Sequence, residues 1–253
     1  MKKLPLQMIL VVLLIIAAAT NGAAGVNDAA GLHDDSGLHE ASGVSVGSPG
    51  VSNDAFYMPD GHTGDSGGRL PTDAAAVHPL IIGTDMPEVT LRTISGEPAA
   101  LREMYPDTPV MVIFYRGGWC PFCSRHLAEL ATMVEDIHEL GLEIVAVSPD
   151  SPDQLRESLG GHDTDYTLLS DADRTAARRF GIAFQVTDPE RVSELADRTG
   201  HTTTPEGNYI FPVPAVFILD SDKVIRFQYV DPDYTRRISG DLLMAAAEYV
   251  SGL

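Results

Sequence analysis

The chain has 253 residues, of which 44% are hydrophobic and 21% are charged. Its 36 aspartates and glutamates against 17 lysines and arginines give a net charge of −19. Such a surface repels nucleic acid and anionic membranes, so composition argues against both as partners. The length allows one large domain or two small ones.

The first 24 residues are typical of a targeting segment. Lys2 and Lys3 precede an unbroken apolar run over residues 8–19, and small residues follow it. A membrane span needs about 20 apolar residues, and this run is shorter. We therefore predict a signal peptide over residues 1–24 and an exported protein, periplasmic or extracellular, with no stable membrane insertion after cleavage. If the signal is retained, the same segment would tether the protein to the membrane.

Residues 25–77 are rich in glycine, serine and aspartate and contain few large apolar side chains. Such a composition cannot bury enough apolar surface to offset the entropy of the chain. We predict a disordered acidic linker over residues 25–77, followed by a folded domain over residues 78–253.

Residues 78–253 have a pattern of alternating strands and helices. Continuous apolar runs with β-branched residues predict buried strands. The predicted strands cover residues 88–92, 109–115, 143–148, 166–169, 214–219 and 224–229. The predicted helices cover residues 101–105, 121–140, 153–159, 173–180 and 239–250, and residues 186–211 receive no assignment. This order predicts an α/β, thioredoxin-like fold, in which helices flank both faces of a central mixed β-sheet.

The two cysteines, Cys120 and Cys123, lie within one four-residue window at the start of a predicted helix. Pro121 suits the first turn of that helix. A thiol at a helix N-terminus faces unpaired N–H groups, which can lower its pKa from about 8.5 to about 3.5–7.5. Their spacing brings the two sulfurs close enough to bond. We therefore predict a redox-active Cys120–Cys123 disulfide, with Arg116 adding positive charge and Trp119 shielding one side.

The sequence gives less support to two other roles of a cysteine pair, a zinc site and a structural disulfide. A zinc site would need further ligands, but the sequence has no second cysteine pair and no histidine pair at ligand spacing. A purely structural disulfide would close so short a loop that its stabilisation would be small. We expect redox chemistry with no metal and no cofactor.

Residues 114–123 (FYRGGWCPFC) resemble the active-site segment of peroxiredoxin-like proteins of the alkyl hydroperoxide reductase / thiol-specific antioxidant (AhpC/TSA) family. Weaker similarities to the same family follow in the same order at residues 148–152, 169–171, 180–182 and 213–217. The resemblance implies an antioxidant enzyme that reduces a hydroperoxide substrate with electrons from a thiol or a thioredoxin-like donor.

The cysteine segment departs from the usual family motif, Pro-x-x-x-Thr-x-x-Cys. Alignment places the motif's proline at Arg116, its threonine at Cys120 and its peroxide-attacking cysteine at Cys123. The family's later arginine, which polarises the peroxide, falls at Pro214. Thioredoxins offer another frame, in which Trp119 precedes an exposed nucleophile, Cys120, and a cis-proline stands at Pro214. The resemblances thus leave open which sulfur attacks.

Thiol-dependent peroxide reduction is the favoured function. The alternatives are disulfide exchange with partner proteins and a redox-inert interaction module. Among other polar residues, we expect His126 to lie at the surface and Asp171 to be solvated in a turn. The strand 109–115 lacks the buried acid that assists proton transfer in thioredoxins. Residues 231–237 also resemble a family segment, with no physical role beyond a possible salt bridge.

Overall fold

The computed structural model of the protein describes residues 69–160 and 164–253. The predicted signal peptide and the predicted linker as far as residue 68 lie outside these residues. Within them, no helix is long and apolar enough to cross a membrane.

The last part of the predicted linker belongs to the packed structure. Leu70 and Val77 pack against a buried apolar cluster, and the N–H of Gln185 donates to the carbonyl of Pro71 at 2.8 Å. Residues 70–77 are therefore part of the fold, and the packed unit begins before the predicted start of the domain.

A seven-stranded sheet forms the centre of the described structure. The described residues form nine strands, seven in this sheet and two in a separate pair: β1 (Thr90–Thr93), β2 (Pro98–Ala100), β3 (Val110–Phe114), β4 (Glu143–Ser148), β5 (Thr167–Ser170), β6 (Ala183–Val186), β7 (Tyr209–Pro212), β8 (Ala215–Leu219) and β9 (Ile225–Val230). The order in the sheet is β2-β1-β5-β4-β3-β8-β9, and β6 and β7 form a separate antiparallel pair. Because β3 pairs parallel with β4 and antiparallel with β8, the sheet is mixed, as predicted.

Helices lie on both faces of this sheet. They are α1 (Leu101–Met104), α2 (Pro121–Ala131), α3 (Val134–Glu139), α4 (Pro152–Leu159), α5 (Thr175–Arg179), α6 (Pro189–Thr199) and α7 (Gly240–Ser251). Val112 and Phe114 of β3 enter one apolar core, to which α5 contributes. Met111 and Ile113 enter a second core with α2, α3 and α7. A strand buried on both faces explains the continuous apolar run of β3.

The single helix predicted over residues 121–140 is wrong, since two helices occupy this stretch. Thr132 and Met133 separate them, with Met133 at φ −116° and ψ −2°. The hydroxyl of Thr132 donates to the carbonyl of Glu129 at 2.7 Å and competes with the regular helical pattern. Gly141, at φ +80°, follows the second helix in the left-handed conformation that glycine adopts readily at helix ends.

Residues 186–211, for which the sequence predicts no element, contain α6 and the first three residues of β7. The side chain of Asp188 caps the helix, and Gly200 ends it at φ +67°. Its large buried apolar residues are Val192 and Leu195, too few to form a recognisable stripe. Val192 and Leu195 pack against Trp119, the residue before Cys120.

Candidate active site

A turn of two glycines carries the chain from β3 to the cysteine pair. Gly117 has φ +126°, and a Cβ there would lie 2.6 Å from Oδ1 of Asp150. A Cβ on Gly118 would lie 2.3 Å from the hydroxyl of Ser158. Gly117 therefore requires glycine, a Cβ at Gly118 would force Ser158 to shift, and the turn delivers Cys120 as the N-cap residue of α2.

Both cysteine side chains are buried. Cys120 and Cys123 are each 1% exposed, in a cluster that Trp119 and Phe122 help to cover. The N–H of Cys123 donates to the carbonyl of Cys120 at 3.0 Å, so the pair spans the first turn of α2. The exposed first cysteine implied by the thioredoxin frame is wrong for this protein.

Arg237 is a site residue that the sequence did not identify. It lies between β9 and α7, and its Nη2 is 3.0 Å from Sγ of Cys123. A guanidinium at this distance favours the thiolate over the thiol. The structure thus supplies a cation to the inner face of the pair from a segment 114 residues away in sequence.

The two thiols ionise as a coupled pair. A hydrogen bond from the thiol of Cys123 lowers the pKa of Cys120 to about 6, and the charges of Arg116 and Arg237 act in the same direction against the effect of burial. Donating that hydrogen bond raises the pKa of Cys123, as does its burial. The pair therefore carries one negative charge and one proton near neutral pH, and Arg237 stabilises that charge on either sulfur.

The rate constant for alkylation of Cys120 should therefore have a pH midpoint far below the pKa of a free thiol. Only the thiolate reacts, so its rate constant with iodoacetamide should rise from pH 4, reach half its maximum at about pH 6 and level off by about pH 7. In urea the midpoint should move to about 8.5, the value of an unperturbed cysteine. Mass spectrometry of the peptide covering residues 117–125 measures both. A native midpoint above pH 8 would contradict the lowered pKa.

A cavity of about 260 Å³ leads to the pair. Its lining includes Cys120 but not Cys123, and Trp119, Phe122 and Tyr234 form part of its wall. We refer to Cys120, which lines the cavity, as the outer sulfur of the pair, and to Cys123, which contacts Arg237, as the inner sulfur.

Arg116 is held in place by aromatic rings. Its guanidinium carbon lies 4.4 Å from the ring centre of Tyr234, 4.5 Å from that of Phe211 and 5.0 Å from that of Trp119. Such cation–π contacts fix a guanidinium without neutralising it. Arg116 and Trp119, both predicted to support the site, thus stand at the cavity.

Pro214, the other predicted supporting residue, lies beside a neighbouring cavity of about 200 Å³. This second cavity shares Arg116 and Tyr234 with the first, and Phe184 and Phe211 make part of its wall apolar. The structure therefore places Pro214 in the surroundings of the site, with Arg116 between the two cavities.

A buried network of polar side chains forms hydrogen bonds to the glycine turn. Oδ2 of Asp150 accepts the N–H of Gly118 at 2.8 Å and the hydroxyl of Ser148 at 3.1 Å. Oδ1 of Asp150 lies 2.7 Å from Nε2 of His201, whose Nδ1 is 2.5 Å from the hydroxyl of Tyr209. Since an ionised carboxylate only accepts hydrogen bonds, Nε2 of His201 is the donor. A buried acid thus does stand near the cysteine turn, but it follows β4 and not β3.

Two polar residues are more buried than the sequence suggested. His126, expected at the surface, is 5% exposed, and burial together with the charge of Arg237 lowers its pKa to about 4. Asp171, expected to be solvated, is 3% exposed, and burial raises its pKa to about 7 although it accepts the N–H groups of Ala176 and Ala177 at the start of α5. Neither residue lines the cavity at Cys120. Among the residues that the structure describes, no three histidine, cysteine or acidic side chains converge as a metal site requires.

The AhpC/TSA family model matches residues 82–228. The chain therefore belongs to the AhpC/TSA family. It is 28% identical over 106 residues to a putative peroxiredoxin, bcp, of Haemophilus influenzae, which covers 42% of this chain and 68% of the relative. It is 26% identical over 106 residues to peroxiredoxin Bcp of Escherichia coli, which covers 42% of this chain and 67% of the relative.

The crystal structure of peroxidoxin BcpB from Mycobacterium tuberculosis has the same fold. It superposes with a TM-score of 0.50 at 20% sequence identity, covering 67% of this chain and 97% of that one. The chain is thus a peroxiredoxin-like protein with the thioredoxin fold, and its relatives identify it as a thiol-dependent peroxidase.

Proposed function

We propose that this peroxidase works through the Cys120–Cys123 pair, with Cys120 as the attacking sulfur. The observation that carries the proposal is that Cys120 lines the cavity and has its pKa lowered to about 6. Its thiolate attacks one oxygen of the hydroperoxide, the O–O bond breaks, and the other oxygen leaves as an alcohol or water after taking a proton. Cys120 is thereby oxidised to the sulfenic acid.

Cys123 completes the catalytic cycle as the resolving residue. As the sulfur of Cys123 attacks the sulfenic sulfur of Cys120, the proton of its thiol passes to the departing hydroxide, so water leaves and the disulfide forms. Two external thiols then reduce this disulfide, the first by attacking the sulfur of Cys120. Cys123 leaves as a thiolate, and the guanidinium of Arg237 at 3.0 Å stabilises it. One cation thus favours the step in which Cys123 carries negative charge.

The alternative assignment comes from the usual family motif, which places the attacking cysteine at Cys123. Access to the cavity favours Cys120, because a peroxide that enters it meets that sulfur. Disulfide exchange with proteins would use the same outer sulfur, but a cavity of about 260 Å³ suits a small molecule better than a protein segment.

Trapping of the sulfenic acid distinguishes the two sulfurs. In Cys123→Ser, one equivalent of hydroperoxide should produce a dimedone adduct on Cys120 as fast as the native protein consumes peroxide. In Cys120→Ser, the remaining cysteine should form no adduct above the level of the Cys120→Ser/Cys123→Ser double variant. Quenched-flow mass spectrometry measures both. A fast adduct on Cys123 in Cys120→Ser would reverse the assignment, and no peroxide consumption by native protein would reject peroxide as substrate.

Export remains part of the proposal. Residues 1–24 support it by composition, and a cleaved signal would release a protein that meets hydroperoxides and thiol donors outside the cytoplasm. The mass of the mature N-terminus, measured on protein purified from its own host, shows whether this segment is removed.

A further inference from the structure

The surroundings of the outer sulfur differ in charge from the rest of the chain. The chain has 36 acidic and 17 basic residues, yet the cavity at Cys120 is lined by three arginines and a single acidic residue, Glu194. The arginines are Arg116, Arg191 and Arg198. A local cluster of cations on an acidic protein attracts an anion that the surface as a whole repels.

The three arginines come from two directions. Arg191 and Arg198 are seven residues apart on α6, so they project from the same face of that helix over the cavity. The guanidinium carbon of Arg198 lies 5.1 Å from the ring centre of Trp119. Arg116 approaches from the cysteine turn, is 9% exposed, and its Nε has no hydrogen-bond partner among the described residues.

The acidic residue beside these arginines does not neutralise them. The contact between Arg198 and Glu194 is long, at 3.7 Å, and both side chains are more than half exposed. An exposed pair of this kind is worth little and breaks easily. The same cavity thus exposes guanidinium groups and Cys120 to one small molecule.

We infer that this cavity binds the carboxylate of a small organic molecule whose other end reacts at Cys120. The inference rests on the proposed function in taking Cys120 as the reacting sulfur. Hydrogen peroxide is neutral and needs no cation to bind, whereas a carboxylate pairs with the fork of a guanidinium. The neighbouring cavity of about 200 Å³ shares Arg116 and Arg191 and adds apolar wall for the organic part of the molecule.

Two molecules with this chemistry could react at Cys120: a thiol acid that reduces the disulfide, or a hydroperoxide that bears a carboxylate. For the thiol acid, its thiolate forms a bond to the sulfur of Cys120 and the bond to Cys123 breaks. A second thiol then attacks the mixed disulfide, so two thiols are oxidised to one disulfide and the protein pair is reduced by two electrons.

A pair of alkylating reagents tests the site without peroxide or turnover. Iodoacetate and iodoacetamide both alkylate a thiolate by displacement of iodide, but iodoacetate carries a carboxylate where iodoacetamide carries a neutral amide. For reduced full-length protein at pH 7 and low salt, the ratio of their rate constants at Cys120 is measured by mass spectrometry of the peptide spanning residues 117–125. Changes in the pKa of Cys120 affect both reagents alike and cancel in the ratio.

Arg191→Gln/Arg198→Gln should lower the iodoacetate-to-iodoacetamide ratio about tenfold, since each partly exposed guanidinium contributes roughly a factor of three. Glu194→Gln should raise it. Arg156→Gln is the matched control, because Arg156 is also 51% exposed, pairs with an acid on its own helix and does not line the cavity. An unchanged ratio in the double variant, or an equal fall in Arg156→Gln, overturns the site.

Two further assays show whether the carboxylate belongs to the thiol reductant or to the hydroperoxide substrate. The first compares 3-mercaptopropionate with 2-mercaptoethanol as reductant of the oxidised pair. The second compares a carboxylate-bearing alkyl hydroperoxide with its methyl ester. Loss of selectivity in Arg191→Gln/Arg198→Gln for the thiols alone assigns the cavity to the reductant, and for the peroxides alone to the substrate. If neither pair shows selectivity in the native protein, the inference is wrong even where peroxidase activity is intact.

Discussion

Replacing Asp150 with alanine is expected to lower the free energy of unfolding by about 2–6 kcal/mol, because two buried donors lose their acceptor and each unsatisfied donor costs about 1–3 kcal/mol. The side chains of Asp150 and His201 are 4% and 0% exposed, so water cannot replace the lost carboxylate. The substitution leaves Nε2 of His201 and the N–H of Gly118 without an acceptor. Urea denaturation monitored by circular dichroism measures the change.

Two further variants test whether the loss of stability comes from the buried hydrogen bonds or only from the removal of a negative charge. Asp150→Asn keeps the volume and one acceptor oxygen, so a smaller loss of about 1–3 kcal/mol is expected. Asp153→Ala removes an acid three residues away that is 85% exposed, and it should cost less than about 1 kcal/mol. Equal losses in Asp150→Ala and Asp153→Ala would show that the network does not stabilise the fold. Because Asp150 holds the turn before Cys120, alkylation of Cys120 should also lose its pH midpoint near 6 in Asp150→Ala.

The sheet and the position of the cysteine pair were predictable because their signals are local. Residues 109–115 and 143–148 are apolar runs, and the structure places β3 and β4 there, side by side. The helix start at Pro121 follows from proline chemistry alone. The break at Thr132 depends on one side-chain hydrogen bond, which no apolar periodicity reveals.

The rest of the site depends on contacts between residues distant in sequence. Asp150 and His201 are 51 residues apart, and Cys123 and Arg237 are 114 residues apart. Only the order of strands in the sheet brings such residues together, and the strand pattern does not specify that order. Arg237 had one sequence signal: it lies in residues 231–237, which resemble a family segment but for which the sequence predicted no role beyond a possible salt bridge.

Replacing Arg237 with glutamine is expected to slow reduction of the Cys120–Cys123 disulfide about 10- to 100-fold. The side chain that leaves in this step is Cys123, and it loses the charged donor 3.0 Å from its sulfur. A hydrogen bond to a charged group is worth about 1.5–3 kcal/mol, which corresponds to this range of rates. Trp119, the chain's one tryptophan, adjoins Cys120 and should report the redox change by fluorescence in stopped-flow experiments with a neutral thiol.

The neighbouring arginine provides the matched control. Arg236 is 71% exposed and pairs with Asp233 instead of a cysteine, so Arg236→Gln removes the same charge from the same segment without touching the sulfur. Arg237→Lys keeps the positive charge and should recover part of the rate, since lysine lacks the planar fork of arginine. A structural role for Arg237 would lower stability without changing chemistry, whereas loss of a sulfur contact also raises the pKa of Cys120 in the alkylation titration. Equal reduction rates in Arg237→Gln and Arg236→Gln would exclude any specific role of the guanidinium at Cys123.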